Sequence, residues 1–320
     1  MSEKNHINYH KQELSGILLA LVAVIIWGGN FVIARGVNKQ ITPISLAFYR
    51  WTLATFLLFP IAYRSFLAER KLIVRNLPNL LFAALFGISL FNTLVYVAGH
   101  YTTAINLALI GTTSSPIMST ILAYFFLKEK PGPFRITGMI LCFIGILWLL
   151  SRGNWHNLAQ FHFSKGDLWV LGGAFCFAVY NILFRKKSPE ISPYAYLFTI
   201  FGIGSLFLLP AWLFELQQGV SVQFTNSLLI TILYLGAGTS VISFLCWNAS
   251  IEKIGIGRTV LFGNLIPIIS SFEAVLWLGE SLTIHHWISG IWVTIGLLLA
   301  NISPSKLKNF INNLFRSRIK

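Results

Sequence analysis

Apolar residues run along this chain in long stretches separated by short polar links. A helix rises 1.5 Å per residue, so about 20 apolar residues cross a hydrocarbon core of roughly 30 Å. Ten stretches are candidates: Leu14–Ala34, Ile44–Tyr63, Leu77–Ala98, Ala104–Leu127, Ile136–Leu150, Leu168–Phe184, Pro193–Leu213, Leu228–Ser250, Thr259–Leu278 and Ile284–Ile302. The fifth and sixth are short and are expected to extend by a few residues. Leu14–Ala34 and Ala104–Leu127 contain no Asp, Glu, Lys or Arg. Membrane β-strands alternate and are much shorter. The pattern therefore predicts an all-α polytopic membrane protein with ten transmembrane helices. The first stretch is long for a signal-peptide core, and no small-residue cleavage site follows it.

Composition agrees. Of 320 residues, 55% are hydrophobic and 11% charged, and the mean hydropathy is +0.70. A soluble domain carries about 25% charge, so a soluble enzyme, a nucleic-acid-binding domain and a disordered chain are excluded. The net charge of +14 is explained by its placement. With ten spans, 19 of the 24 Lys and Arg fall on the face that holds both termini; Arg35, Lys39, Arg50, Arg152 and Lys165 fall on the other. Positive charge gathers on the cytoplasmic side, so both termini are expected in the cytoplasm, with the chain in the cell (inner) membrane. The basic tail Ser303–Lys320 reads as a polar cytoplasmic tail, with an amphipathic segment on anionic lipid as the alternative. Cys142, Cys176 and Cys246 lie in apolar runs without metal or disulfide spacing.

The two halves match at an offset of about 150 residues. Gly16, Arg35 and Pro43 correspond to Gly166, Arg185 and Pro193; Ala98, Pro116, Glu129 and Gly145 correspond to Ala249, Pro267, Glu280 and Gly296. Five spans per half is an odd number, so the second half must enter the membrane upside down. The expected organisation is a five-helix repeat at 1–150, its inverted copy at 151–302, and the tail at 303–320. Inverted repeats are typical of secondary transporters, which bind substrate near the bilayer midplane.

Four segments carry a resemblance: WGGNFVIARGV, PISLAFYRW, YTTAINLALIGTTSSPIMSTILAYFFLKE and NLIPIISSFEAVLWLGE. With them the chain resembles, over nearly its whole length, the EamA branch of the drug/metabolite transporter superfamily. The resemblance implies transport of amino acids, other metabolites or drugs, commonly outward, with choline-like uptake in some members. It also implies that spans one to four and six to nine surround a cavity, with five and ten outside.

Candidate cavity residues follow from polar side chains inside lipid, which must find partners. Trp27 and Asn30 flank Gly28 and Gly29 in span one, and Tyr180 is the counterpart of Asn30. Asn92 and Tyr96 share a helical face in span three; Ser243 and Trp247 are their counterparts. Thr112 and Ser115 precede Pro116, and Asn264 precedes Pro267; a proline that breaks the ladder frees carbonyls. Glu129 and Glu280 read as interface anchors. Glu273 is the one acidic residue well inside a span, and its counterpart is Leu122. It departs from what the resemblance leads one to expect. Arg50 lies at a similar depth, so Arg50 and Glu273 are expected either as an ion pair that fixes two helices or as a coupling site.

His285 and His286 have no paired carboxylate or cysteine, and no GxxxxGK[ST] motif exists for ATP hydrolysis. The expectation is a secondary-active, alternating-access exporter of a small metabolite such as an amino acid, without cofactor, metal or catalytic residues. Transport of organic cations or drugs is the alternative, since Trp and Tyr can cage a cation. A membrane-embedded lipid-processing enzyme or scramblase is the alternative from another class. Expected partners are a small-molecule substrate, the bilayer, a coupling ion such as a proton and a second copy in a homodimer; nucleic acid is not among them.

Overall fold

The computed structural model describes residues 3–151, 153–154, 164–220, 222–254, 259 and 262–300, and every regular element among them is a helix. The helices are α1 (Glu3–Gly36), α2 (Pro43–Ala68), α3 (Leu77–Ala98), α4 (Ala104–Leu127), α5 (Pro133–Leu150), α6 (Lys165–Arg185) and α7 (Pro193–Gln217). Next, α8 runs through Asn226–Leu233, Tyr234–Ile242 and Ser243–Ile254, followed by α9 (Ile266–Leu278) and α10 (Ile284–Ala300). A short helical turn, Arg70–Arg75, joins α2 to α3. The basic tail and most of the long link between α5 and α6 lie outside the described residues.

Seven of these helices are long and apolar enough to cross a membrane; α5, α9 and α10 are shorter apolar helices. The ninth stretch is the clearest departure from the sequence pattern. Its helix starts at Ile266, after a turn at Asn264 and Leu265, and Pro267 stands in its first turn. Pro116, its counterpart, sits inside the continuous α4. Proline costs little in a first turn, where its missing N–H has no partner anyway.

Helix starts are set by Thr42, Thr103, Ser164, Ser192 and Thr225, each accepting a hydrogen bond from the backbone N–H three residues on. Glutamates reinforce these caps across the bundle. Glu69, just past α2, accepts from the Ser192 N–H at the start of α7 (2.8 Å). Glu215, at the end of α7, accepts from Thr42 Oγ1 (2.6 Å) and Ser45 Oγ (2.7 Å) at the start of α2. Each helix thus ends where the other begins, so α2 and α7 run antiparallel.

Packing joins the two halves. Helix α1 packs on α8 and α9, while α6 packs on α3 and α4. The counterparts α2 and α7, α4 and α9, and α5 and α10 pair with each other. The α5–α10 contact is close because its residues are small: Gly138 lies against Gly296 and Ala300, and Gly145 against Ser289 and Val293. Helices α3 and α8 each contain a π-helical segment, Leu85–Leu90 and Tyr234–Ile242. Such segments occur often at functional sites.

Candidate functional site

Four consecutive residues of α1 meet three neighbouring helices. The Trp27 Nε1–H donates to the Thr239 carbonyl in the α8 π segment (3.0 Å). Its ring lies 5.1 Å from Trp247 and 5.5 Å from Phe244. Gly28 lies beneath Glu273 and Ile269 of α9. Gly29 lies beneath Tyr234, whose hydroxyl donates to the Ile26 carbonyl (2.8 Å). A side chain at either glycine would strike these groups. Asn30 turns to α2, where its Oδ1 accepts from Arg50 Nη1 (2.7 Å).

Arg50 is the hub of the bundle. It is 4% exposed. Its Nη1 also bonds to Asn92 Oδ1 and Tyr96 OH, both at 2.7 Å, and its Nε donates to Ser240 Oγ at 2.9 Å. The guanidinium lies 4.5 Å from the Trp51 ring centroid. One side chain on α2 therefore ties together α1, α3 and α8, and so both halves of the chain. The Ser240 hydroxyl donates in turn to the Leu235 carbonyl (2.9 Å), within the π segment.

The expected Arg50–Glu273 ion pair does not form. Glu273 meets α1 at Gly28 and Arg50 meets it at Asn30. Two residues are about 200° apart around a helix, so the two charges sit on different sides of α1. Glu273 Oε2 is enclosed and has no hydrogen-bond partner among the described residues. Tyr234 is within electrostatic reach of both Glu273 and Arg50.

Of the residues read from the sequence, Asn30, Asn92, Tyr96 and Arg50 come together in one network, and Trp27 and Trp247 form an aromatic contact beside it. Others do not join. Tyr180 packs with Phe177 and Phe184 against Gly87 of the α3 π segment. Ser243 donates to the Gly238 carbonyl and Thr112 to the Ala108 carbonyl, each within its own helix. Ser115 is buried in α4. Asn264 Nδ2 is enclosed without a described partner, as are the hydroxyls of Thr113, Ser114 and Ser270. These unpaired groups lie in or beside α4 and α9; in a native structure such groups commonly meet water or ligand.

Ser240, Thr239 and Tyr234 carry contacts that the sequence reading did not assign. Their signal was the run Gly236-Ala237-Gly238-Thr239-Ser240, small and polar residues inside an apolar span. The two lone charges break the repeat: 150 residues after Arg50 stands Ile200, fully buried, and the counterpart of Glu273 is Leu122. A separate groove of about 280 Å³ opens between α4, α9 and α10, lined by Leu109, Pro267, Ser271, Phe272, Trp287 and Ile291. It contains no residue of the Arg50 network.

At one end of the bundle Arg35 Nη1 bonds to the Gly99 and His100 carbonyls (3.0 and 3.4 Å). Partial burial and this guanidinium hold the His100 imidazole below its usual range. Glu280 accepts there from the N–H groups of Ala104 and Ile105 (2.8 and 3.2 Å) at the start of α4. At the other end Glu129 pairs with Arg185 at 2.7 Å.

A family model described as the EamA-like transporter family matches residues 14–151 and again 164–302. The chain belongs to this family. Among its relatives, the uncharacterized transporter YyaM of Bacillus subtilis is 26% identical over 91% of this chain and 94% of its own length. An uncharacterized transporter of Archaeoglobus fulgidus is 27% identical over 88% of this chain and 96% of its own. A protein of Salmonella typhimurium named a probable amino-acid metabolite efflux pump is 25% identical over 88% and 93%. A solved crystal structure shares the fold with a TM-score of 0.60 at 17% identity, over 89% of this chain and 96% of that one. The EamA-like chain is thus a multi-pass membrane protein of a transporter family.

Proposed function

We propose that this EamA-like protein is a secondary-active exporter of a small metabolite such as an amino acid. It works by alternating access across the cell membrane, with ten spans arranged as two inverted five-helix repeats and both termini in the cytoplasm. The observation that carries the reading is the Arg50 network. A bundle of apolar helices holds one charged, hydrogen-bonded hub where helices from both halves meet, and intramembrane polar groups of this kind mark transport pathways. The antiparallel α2–α7 pair and the counterpart packing of the other helices support inversion. The name of the Salmonella relative supports amino-acid efflux as the activity to test first.

The test is flux of radiolabelled amino acids from sealed vesicles that contain the purified chain. Efflux above empty vesicles, saturable and dependent on a pH or substrate gradient, is expected. Lipid scrambling or lipid turnover without solute flux would sink the reading in favour of a lipid-processing protein. The aromatic contact of Trp27 with Trp247 and Phe244 favours a second reading, transport of organic cations. Competition by choline-like compounds in the same vesicles tests it.

A further inference from the structure

We propose that Arg50 is the contact for a carboxylate on the transported molecule, so that the substrates are small organic acids and zwitterions rather than simple cations. The proposal deepens the transport reading and rests on it.

A guanidinium keeps its charge at every physiological pH, and buried charges are ordinarily paired with opposite ones. Arg50 is buried, yet each of its four partners (Asn30, Asn92, Tyr96 and Ser240) is neutral. Neutral acceptors solvate the charge without cancelling it. The carboxylates of Glu69, Glu129, Asp167, Glu215 and Glu280 are committed at helix ends. Glu273 faces a different side of α1. A negative charge supplied by the substrate completes the site.

The hydrogen count shows where that charge goes. Nε has one hydrogen, given to Ser240. Nη1 has two, already shared among three oxygens. Nη2 has two hydrogens and no hydrogen-bond partner among the described residues, and it is not one of the fully enclosed unpaired atoms. A carboxylate oxygen accepts from this open nitrogen. Tyr96 supplies a second donor: its hydroxyl accepts from Nη1 and donates to Asn30 Oδ1 across a long 3.4 Å, a weak bond that it exchanges for one to the incoming oxygen. Charge-assisted bonds of this kind are the strong ones. Three helices and the Trp51 ring already fix the guanidinium, so little ordering remains for the ligand to impose. The charge is dispensable for building the helix itself, because the same position in the second half is the buried Ile200.

The experiment is a thermal-shift and binding assay on the purified full chain with L-amino acids and simple carboxylic acids, each beside its methyl ester and its decarboxylated or amide analogue. The expected result is that at least one acid binds, and that its ester and amide bind at least tenfold more weakly. Wild-type protein alone gives this comparison, so it does not depend on a variant folding. Arg50→Lys keeps a buried cation and should retain part of the preference, while Arg50→Gln should abolish it. Esters or amines that bind as well as the acids, no acid that binds at all, or sodium chloride that displaces the acids by occupying the site, would overturn the proposal. Vesicle flux reads the transport function separately: efflux of neutral or cationic solutes alone defeats the carboxylate assignment and leaves the transporter standing, whereas bound acid without flux does the reverse.

Discussion

Glu129 and Arg185 meet at 2.7 Å, whereas Glu280 and Arg35, which hold the same two positions in the other half, bond elsewhere. Glu280 caps α4 and Arg35 binds the end of α3. The two ends of the bundle therefore display two arrangements of one Glu–Arg pair. If the chain works by alternating access of inverted repeats, as proposed, each end should take in turn the arrangement now seen at the other. The expectation is that Glu280 leaves α4 and pairs with Arg35 when that end opens. Glu280→Ala removes a helix cap worth about 0.5–2 kcal/mol and should slow transport. The exchange Arg35→Glu with Glu280→Arg should restore part of what each single change loses. If the exchange recovers no flux at matched expression, the two residues act only as separate caps.

The placement of charge predicts the orientation. Tags at residue 1 and residue 320 should both report the cytoplasm, and a tag within 155–163 should report the opposite face. The 19 to 5 division of Lys and Arg is large enough that a single missed span would scramble it. A terminus accessible from outside the cell would defeat the ten-span arrangement.

The network predicts a graded series. Tyr96→Phe removes one hydroxyl from the Arg50 cluster and little volume, so it should lower transport about ten- to a hundredfold, as for one charged hydrogen bond of about 1.5–3 kcal/mol. Trp247→Ala removes the ring beside Trp27 and should lower transport more than Phe125→Ala, since Phe125 is 68% exposed. Equal flux in all three variants would return Tyr96 and Trp247 to ordinary packing.

Hydrophobic length alone made the helices legible, because lipid demands closed backbone hydrogen bonding over each span. It could not reveal that Pro267 begins a helix while Pro116 lies within one; that difference depends on the residues around each proline and on tertiary packing. Four of the five network residues were readable, since Asn30, Asn92, Tyr96 and Arg50 are costly in lipid and must find partners. Their meeting point was not. Depth along the membrane suggested that Arg50 reaches Glu273, but depth says nothing of direction around α1, and Asn30 and Gly28 point to different sides. Ser240 stayed hidden because a π segment shifts the face on which each side chain emerges.

Glu273 gives the last expectation. Its Oε2 is enclosed against Gly28 without a hydrogen-bond partner among the described residues, and Tyr234 lies within its electrostatic reach. An unpaired buried acceptor costs about 1–3 kcal/mol, so the enclosed Oε2 is expected to lower stability. Glu273→Gln keeps the shape and removes the charge that is costly to hold there. It should melt at or above the wild-type temperature, where a variant that broke a structural ion pair would melt lower. If the carboxylate exchanges a proton or holds a cationic group during the cycle, the Gln variant should also lose the response of flux to an imposed pH gradient while still binding substrate. Tyr234→Phe is the control, since it removes the neighbouring hydroxyl but leaves the carboxylate. A Gln variant with a lower melting temperature and an unchanged pH response would make Glu273 a structural residue and remove it from the transport cycle.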